Sequence, residues 1–414
     1  MFKCKMGLQM NLQSNSEFVN RDKILLALFF ISRSEKFSMT KRTTQKQIQN
    51  ANRHTIYKYI YDGHDVMQQN IVRDLNMSRP TVSTHLEDME REKLIFRSNS
   101  ADSSKPGRTP VTWSIDAKHK IALGVEILKD SVKIIAVDLY GRALRWEKWF
   151  MSYENTENYY RTICDNVNEF IASLDVKYAS RKILGIGFAL QGLVSEDGQT
   201  VIYGEILKCT GLKIDVFTKW LDYPCRFVHE PDGAAISELW VSPELQDAVY
   251  LSMSEHLGGA LISKRRILNG QHRHSATFEH IFACDNGEEC YCGKKGCYET
   301  VCSKVALLRG KDPDEFFARV RSGEPEALGR WQNFLAYLGK LIAHLHLVND
   351  TKYILGGHLA PYFTEEDINV LYKYVRERTP FTEDDDYIMI SKMPSHNITI
   401  GAALPYIINF LENV

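Results

Sequence analysis

No stretch of this chain is both long enough and apolar enough to span a membrane. The best candidate, Ile24 to Ile31 (ILLALFFI), follows Arg21 and Lys23 and is eight residues long, whereas a spanning helix needs about 20. A small-residue cleavage site is missing behind it, so a secretory leader is not indicated either. The run reads as one amphipathic helix, or as part of a poorly specified N-terminal extension over residues 1–50. Met39 is an alternative start, because every recognisable pattern begins after it. Net charge is scarce too: the formal value is -1, so the whole-chain balance points to no polyanionic partner. No internal repeat is visible. The nine cysteines do not form a disulfide framework; their dense late cluster suits metal binding in a reducing compartment, and a cytoplasmic location is expected.

What is present is a chain of 414 residues, enough for two or three domains, with the 44% hydrophobic and 25% charged content of a soluble globular protein. Its charge is unevenly spread. Between Met39 and Lys120 there are 14 Lys and Arg against 9 Asp and Glu. A mildly basic segment on a mildly acidic body suits a DNA-binding module joined to a sensor.

The basic segment, residues 51–118, carries the matching pattern. Ile56, Tyr59 and Ile60 recur at helical spacing and Gly63 ends the run, while a second helix is expected from Val66 to Leu75. After a turn at Asn76-Met77-Ser78, a third helix opens with Ser78 as cap and Pro80 in its first turn. Val82, Leu86 and Met89 face inward, which leaves Arg79, Thr81, Ser83, Thr84 and His85 to meet base edges in a major groove. Two strands follow, the second from Val111 to Ile115, around a Ser/Gly/Pro-rich tip whose Lys105 and Arg108 suit phosphate or the minor groove. This is the outline of a winged helix-turn-helix. A generic three-helix domain used for protein contacts is the alternative.

A second pattern lies at HIFACDNGEECYCGKKGCYETVCS, where His280, Cys290, Cys292 and Cys297 supply one imidazole and three thiolates. That donor set makes a closed tetrahedral shell for structural zinc, and soft sulfur ligands disfavour magnesium or calcium. Gly293 and Gly296 allow a tight fold around the ion, and Cys284 and Cys302 are not assigned as ligands. The alternative is a loop of free thiols.

The order H-x9-C-x-C-G-x2-G-C-x-E resembles the ROK family of sugar kinases and sugar-responsive repressors, and SRPTVSTHLEDMEREKLI with GRTPVTWSI resembles the DNA-binding half of its repressors. The resemblance covers roughly Asn52 to Phe410. It implies an α/β chain in which the winged helix-turn-helix is followed by a two-lobed, actin-like (ribonuclease H-like) domain over 119–414, with the zinc loop at 280–297 buttressing a sugar cleft. Asp232 falls at the family's catalytic-base position, and Asp232, His280 and Glu299 are the expected effector-binding residues. Two further family contacts are replaced, an Asn by Pro231 and a Glu by Thr277, with Glu279 two positions on; Gln191 stands where a proline is usual. The kinase phosphate loops are degraded: the first hairpin reads Glu126-Ile127-Leu128-Lys129-Asp130 in place of Asp-x-Gly-Gly-Thr, and only Gly258 and Gly259 remain of the second.

The expected function is therefore a DNA-binding transcriptional regulator, a repressor of carbohydrate-related genes, and not an enzyme. Its expected partners are double-stranded operator DNA, a sugar or sugar-phosphate effector, and further copies of itself in a homodimer or homotetramer, with no membrane. Two readings stand beside it: a sugar kinase with a fused DNA-binding domain, and a regulator whose cleft no longer takes sugar.

Overall fold

The computed structural model describes residues 45–99, 111–174, 182–381, 386–393 and 395–414. Ile24 to Ile31, Met39, Lys105, Arg108 and most of the acidic run Glu383 to Asp386 lie outside the described residues.

Among the described residues the N-terminal unit opens with a helix at Gln45–Gly63, which extends well ahead of the Ile56, Tyr59 and Ile60 pattern. Val66–Met67 is not helical. It pairs antiparallel with Trp113 and Thr112 as the third strand of the wing sheet, and the second helix is confined to Gln68–Asp74. The third helix spans Arg79–Arg91, with Ser78 Oγ accepting from Thr81 N and Val82, Leu86 and Met89 buried. Strands Ile95–Asn99 and Val111–Ile115 pair antiparallel to complete the wing.

Two five-stranded sheets form the body, and they share one topology. In the first, the order is Cys225–His229, Lys182–Leu190, Lys120–Ile127, Ser131–Val137, Ala143–Phe150; in the second, Arg266–Ile267, Leu257–Ser263, Ala248–Met253, Lys352–Gly356, Ile388–Ile390. Each runs as an antiparallel meander of three strands whose first member also pairs in parallel with the fourth strand, which in turn pairs in parallel with the fifth. The lobes are thus duplicates in pairing pattern, although no repeat is visible in their residues. Each lobe buries its own apolar cluster, one around Phe188, Phe217 and Phe170, the other around Trp331, Phe334 and Phe317.

Two helices cross between these layers. Glu230–Val241 and Asn397–Asn413 meet at glycines: a Cβ on Gly401 would stand 1.8 Å from the Gly233 carbonyl oxygen. The C-terminal helix also lies directly on the first sheet, since a Cβ on Gly124 would be 1.7 Å from the Thr399 carbonyl oxygen. By its β-branched residues Ile398, Thr399 and Ile400, the segment SHNITIGAAL reads as a strand ahead of that helix. Instead the helix already begins at Asn397, because its small residues Gly401, Ala402 and Ala403 are needed for close approach on more than one side.

The N-terminal unit is welded to the first lobe. Ile56, Tyr57 and Ile60 share one buried cluster with Val137, Leu139, Leu404 and Ile407. The buried Tyr61 hydroxyl donates to the Leu139 carbonyl at 2.8 Å, and the Tyr140 hydroxyl donates back to the Tyr61 carbonyl at 3.1 Å.

Candidate functional site

Backbone geometry builds the thiol loop before any ligand is considered. Cys290 N donates to Lys294 O, and Gly293 N donates to Cys290 O. Gly296 holds φ +75, and a Cβ there would fall 2.1 Å from the Cys284 carbonyl oxygen, so only glycine fits. The outcome is that the ligand atoms of His280, Cys290, Cys292 and Cys297 all lie within 4.8 Å of one another, while Cys284 and Cys302 stand outside the group. Cys290 Sγ is 3.7 Å from His280 Nδ1, and Cys292 Sγ is 3.8 Å from Cys297 Sγ. Zinc–sulfur bonds of about 2.3 Å at tetrahedral angles separate two sulfurs by about 3.8 Å, so the spacing fits such an ion as it stands. With four protein donors no open position is left for water, and the ion would brace the loop and do no chemistry.

His280 faces two ways. Its Nδ1 meets the thiols, its Nε2 lies 3.7 Å from Glu279 Oε1, and its ring helps to line a cavity of about 280 Å³ between the lobes. Gln191, Leu193, Tyr203, Glu205 and Ile206 form the first-lobe wall; His229, Glu230 and Pro231 come from the start of the crossing helix; Ser252, His256, Leu257, His274, Thr277, Glu279 and Tyr291 complete the second-lobe wall.

Of the residues expected to touch an effector, only His280 is in this lining. Asp232 stands behind it, its Oδ1 3.6 Å from His229 Nδ1, and with the Asn269 amide turned to face it a second contact of 3.2 Å forms. Glu299 is committed as well: one oxygen lies 2.7 Å from His256 Nδ1 and the other accepts from Leu257 N at 2.8 Å. It therefore holds His256 towards the cavity. Neither Glu230 nor His256 stood out as a contact in the sequence, although Glu230 begins the EPDGAA segment and His256 sits just ahead of the surviving glycines. Tyr203 and Tyr291 carried no signal at all, since an aromatic in a loop has no spacing rule.

Burial sets the electrostatics. Glu230 is pushed up to about 7, chiefly by burial and then by the charge of Glu126, against the pull of His229, Ser254 and Gln191. Glu279 is likewise pushed up to about 7 by burial, and its Oε2 has no hydrogen-bond partner. Burial alone would lower His229 and His256, but the carboxylates of Asp232 and Glu299 beside them raise both.

At the position of the first kinase phosphate loop the hairpin is filled. The buried Glu126 carboxylate accepts from Thr399 Oγ1 at 3.0 Å and from Lys133 Nζ at 3.1 Å. A larger open depression of about 870 Å³ lies on the second lobe, but Glu238 and Lys392 in its lining are already paired, with Ser391 and Glu244.

On the third N-terminal helix, Arg79 and Thr84 are exposed, whereas Thr81, Ser83 and His85 are half-buried. Thr81 Oγ1 is within 2.8 Å of Ser78 Oγ, Ser83 Oγ accepts from Gln68 Nε2 at 2.6 Å, and Thr84 Oγ1 donates to the Pro80 carbonyl at 3.0 Å. Arg79 is thus the residue on this face whose polar end is most open to a partner.

The pattern that defines the ROK family matches residues 122–404. The chain belongs to the ROK family. Among curated relatives, the Xylose repressor of Caldicellulosiruptor bescii is 24% identical over 274 residues, covering 65% of this chain and 67% of that protein. The Escherichia coli DNA-binding transcriptional dual regulator NagC is 22% identical over 266 residues, covering 63% of this chain and 64% of its own. In solved structures, this ROK protein shares its fold with a ROK family transcriptional regulator homologous to the E. coli MLC protein (TM-score 0.70, 20% identity, 88% of this chain and 97% of that one). It also shares a fold with a Streptomyces griseus ROK glucokinase, at TM-score 0.60 and 20% identity over 69% of this chain and 98% of that one.

Proposed function

We propose that this ROK protein is a sequence-specific DNA-binding transcriptional repressor of carbohydrate-related genes, controlled by a sugar or sugar phosphate in the interlobe cleft. The observation that carries the reading is a winged helix-turn-helix fused through a buried core to the lobe that carries one wall of the cleft. Arg79, Thr81, Ser83, Thr84 and His85 would meet base edges, with Lys105 and Arg108 adding phosphate contacts. A cytoplasmic homodimer or homotetramer would match a palindromic operator. Zinc on His280, Cys290, Cys292 and Cys297 would hold the cleft wall in place.

A kinase reading draws on Asp232, at the catalytic-base position, and on the glucokinase fold likeness. Against it, Leu128 and Lys129 stand where the first phosphate loop has its two glycines, so the backbone there cannot approach a nucleotide phosphate closely.

Operator selection from random duplexes at physiological salt, followed by release with candidate sugars, tests the proposal. Enrichment of one palindromic sequence, released by a sugar, is the expected result. Absence of any sequence preference would sink it, and sugar-dependent ADP release abolished by Asp232→Asn would replace it with the kinase.

A further inference from the structure

The cleft's charge and size narrow the class of effector, and the inference rests on the sensor reading above. Among the described residues that line the cavity there is no lysine or arginine. The cationic group beside it, Arg273, is held back: Nε donates to the Val194 carbonyl at 3.1 Å, and its terminal nitrogens lie near the Asn269 amide. Glu205 at the mouth is paired with Lys208, but Glu230 and Glu279 lie deep and have no lysine or arginine as partner, only histidines nearby. Four histidines also line the cavity. His229 and His256 each turn Nδ1 to a carboxylate, His280 turns Nδ1 to the thiols, and His274 stands at the exposed mouth.

Glu279 makes the chemistry specific. The residue is 8% exposed, it lines the cavity, and its Oε2 has no partner. A buried polar atom left unmet is costly, and a ligand hydroxyl or ammonium group is the donor that would satisfy it. Pro231, Leu193, Ile206 and Leu257 supply apolar surface on which the C–H face of a sugar ring can rest. At about 280 Å³ the space lies just below the usual range of ligand sites, about 300 to 1,000 Å³, and suits one ring.

We propose that the cleft takes its effector unphosphorylated, as a neutral or amine-bearing monosaccharide with a hydroxyl or ammonium group on Glu279, and rejects the corresponding sugar phosphate. A phosphate ester would bring close to two negative charges into a largely enclosed space whose lining has no lysine or arginine to receive them, and desolvating such charges unpaired is costly.

The test is titration calorimetry and thermal shift of the full chain, zinc content verified, with D-xylose, D-glucose, N-acetylglucosamine and glucosamine, and with the 6-phosphates of the last three. The expected result is a saturable response to at least one free sugar, with any matching 6-phosphate at least about tenfold weaker. Glu279→Gln should weaken that sugar about tenfold; Thr277→Arg, which adds a cation to the wall, should narrow the gap between a sugar and its phosphate. Equal or tighter binding of a 6-phosphate, or unchanged sugar affinity in a zinc-loaded Glu279→Gln protein, overturns the inference and leaves the sensor reading standing. No response to any member of the panel overturns both.

Discussion

At the residue scale, the thiol loop and the buried acid at the cleft floor lead to opposite expectations about stability. A donor set already at ligand spacing adds the ion's binding energy to folding. Cys290→Ser or Cys297→Ser should release zinc and lower Tm, and chelation of the wild type should do the same; a serine variant with full metal content would mean that other atoms hold the ion. Glu230 works the other way. Its folded value of about 7 lies above the ordinary 4.5, so the native state binds the extra proton, and stability falls as pH rises from about 4.5 to 7. Glu230→Gln should therefore stabilise the protein at pH 8 by on the order of 3 kcal/mol relative to its effect at pH 4. A Tm difference that does not change with pH would show that Glu230 titrates normally. The clustering of His280, Cys290, Cys292 and Cys297 was legible because metal-binding chemistry demands fixed residue types at short spacing. The contacts of Asp232 and Glu299 were not legible, since whether a carboxylate faces a cavity or a neighbouring histidine depends on how the chain folds around it.

At the element scale, the third N-terminal helix separates stability from recognition. Ser78 caps it, and Ser78→Ala should cost about 1 kcal/mol of stability. Arg79 is exposed and makes no such contribution, so Arg79→Ala should leave Tm unchanged while weakening operator binding about tenfold or more. A loss of both in Arg79→Ala would mean that the helix itself is disturbed. Cap, Pro80 and inward spacing made this element readable from its residues alone. Val66–Met67 was not readable, because two apolar residues have no period, and only pairing with Trp113 and Thr112 makes them a strand. The C-terminal helix was misjudged at its start for a related reason: Asn397 to Ile400 has β-branched character, and packing of Gly401 on Gly233 overrides it. The duplicate lobes escaped detection because a sheet's order is fixed by pairing, which very different side chains can satisfy.

At the scale of the whole molecule, the cleft and the N-terminal helical unit proposed to meet DNA are joined by packed elements. The helix that carries Glu230 and Pro231 into the cleft crosses the C-terminal helix at Gly233 and Gly401, and that helix packs against Tyr57 through Phe410, with ring centroids 6.4 Å apart. Contiguity alone does not establish coupling, but it predicts where coupling should be lost. The polar part of the joint is the pair of bonds from Tyr61 to Leu139 and from Tyr140 to Tyr61, set beside the shared apolar cluster. Tyr61→Phe with Tyr140→Phe removes both hydroxyls far from the cavity and from the third helix, so sugar affinity without DNA should be unchanged. Operator affinity without sugar should change little. What should shrink is the ratio of operator affinities with and without sugar, because a looser joint transmits less of any lobe movement. Linkage supplies an internal control: in wild type the operator must weaken the sugar by the same factor by which the sugar weakens the operator. Both factors should fall together in the double variant when measured by titration in each order, and a double variant that keeps the full wild-type factor would show that the signal reaches the DNA by another route.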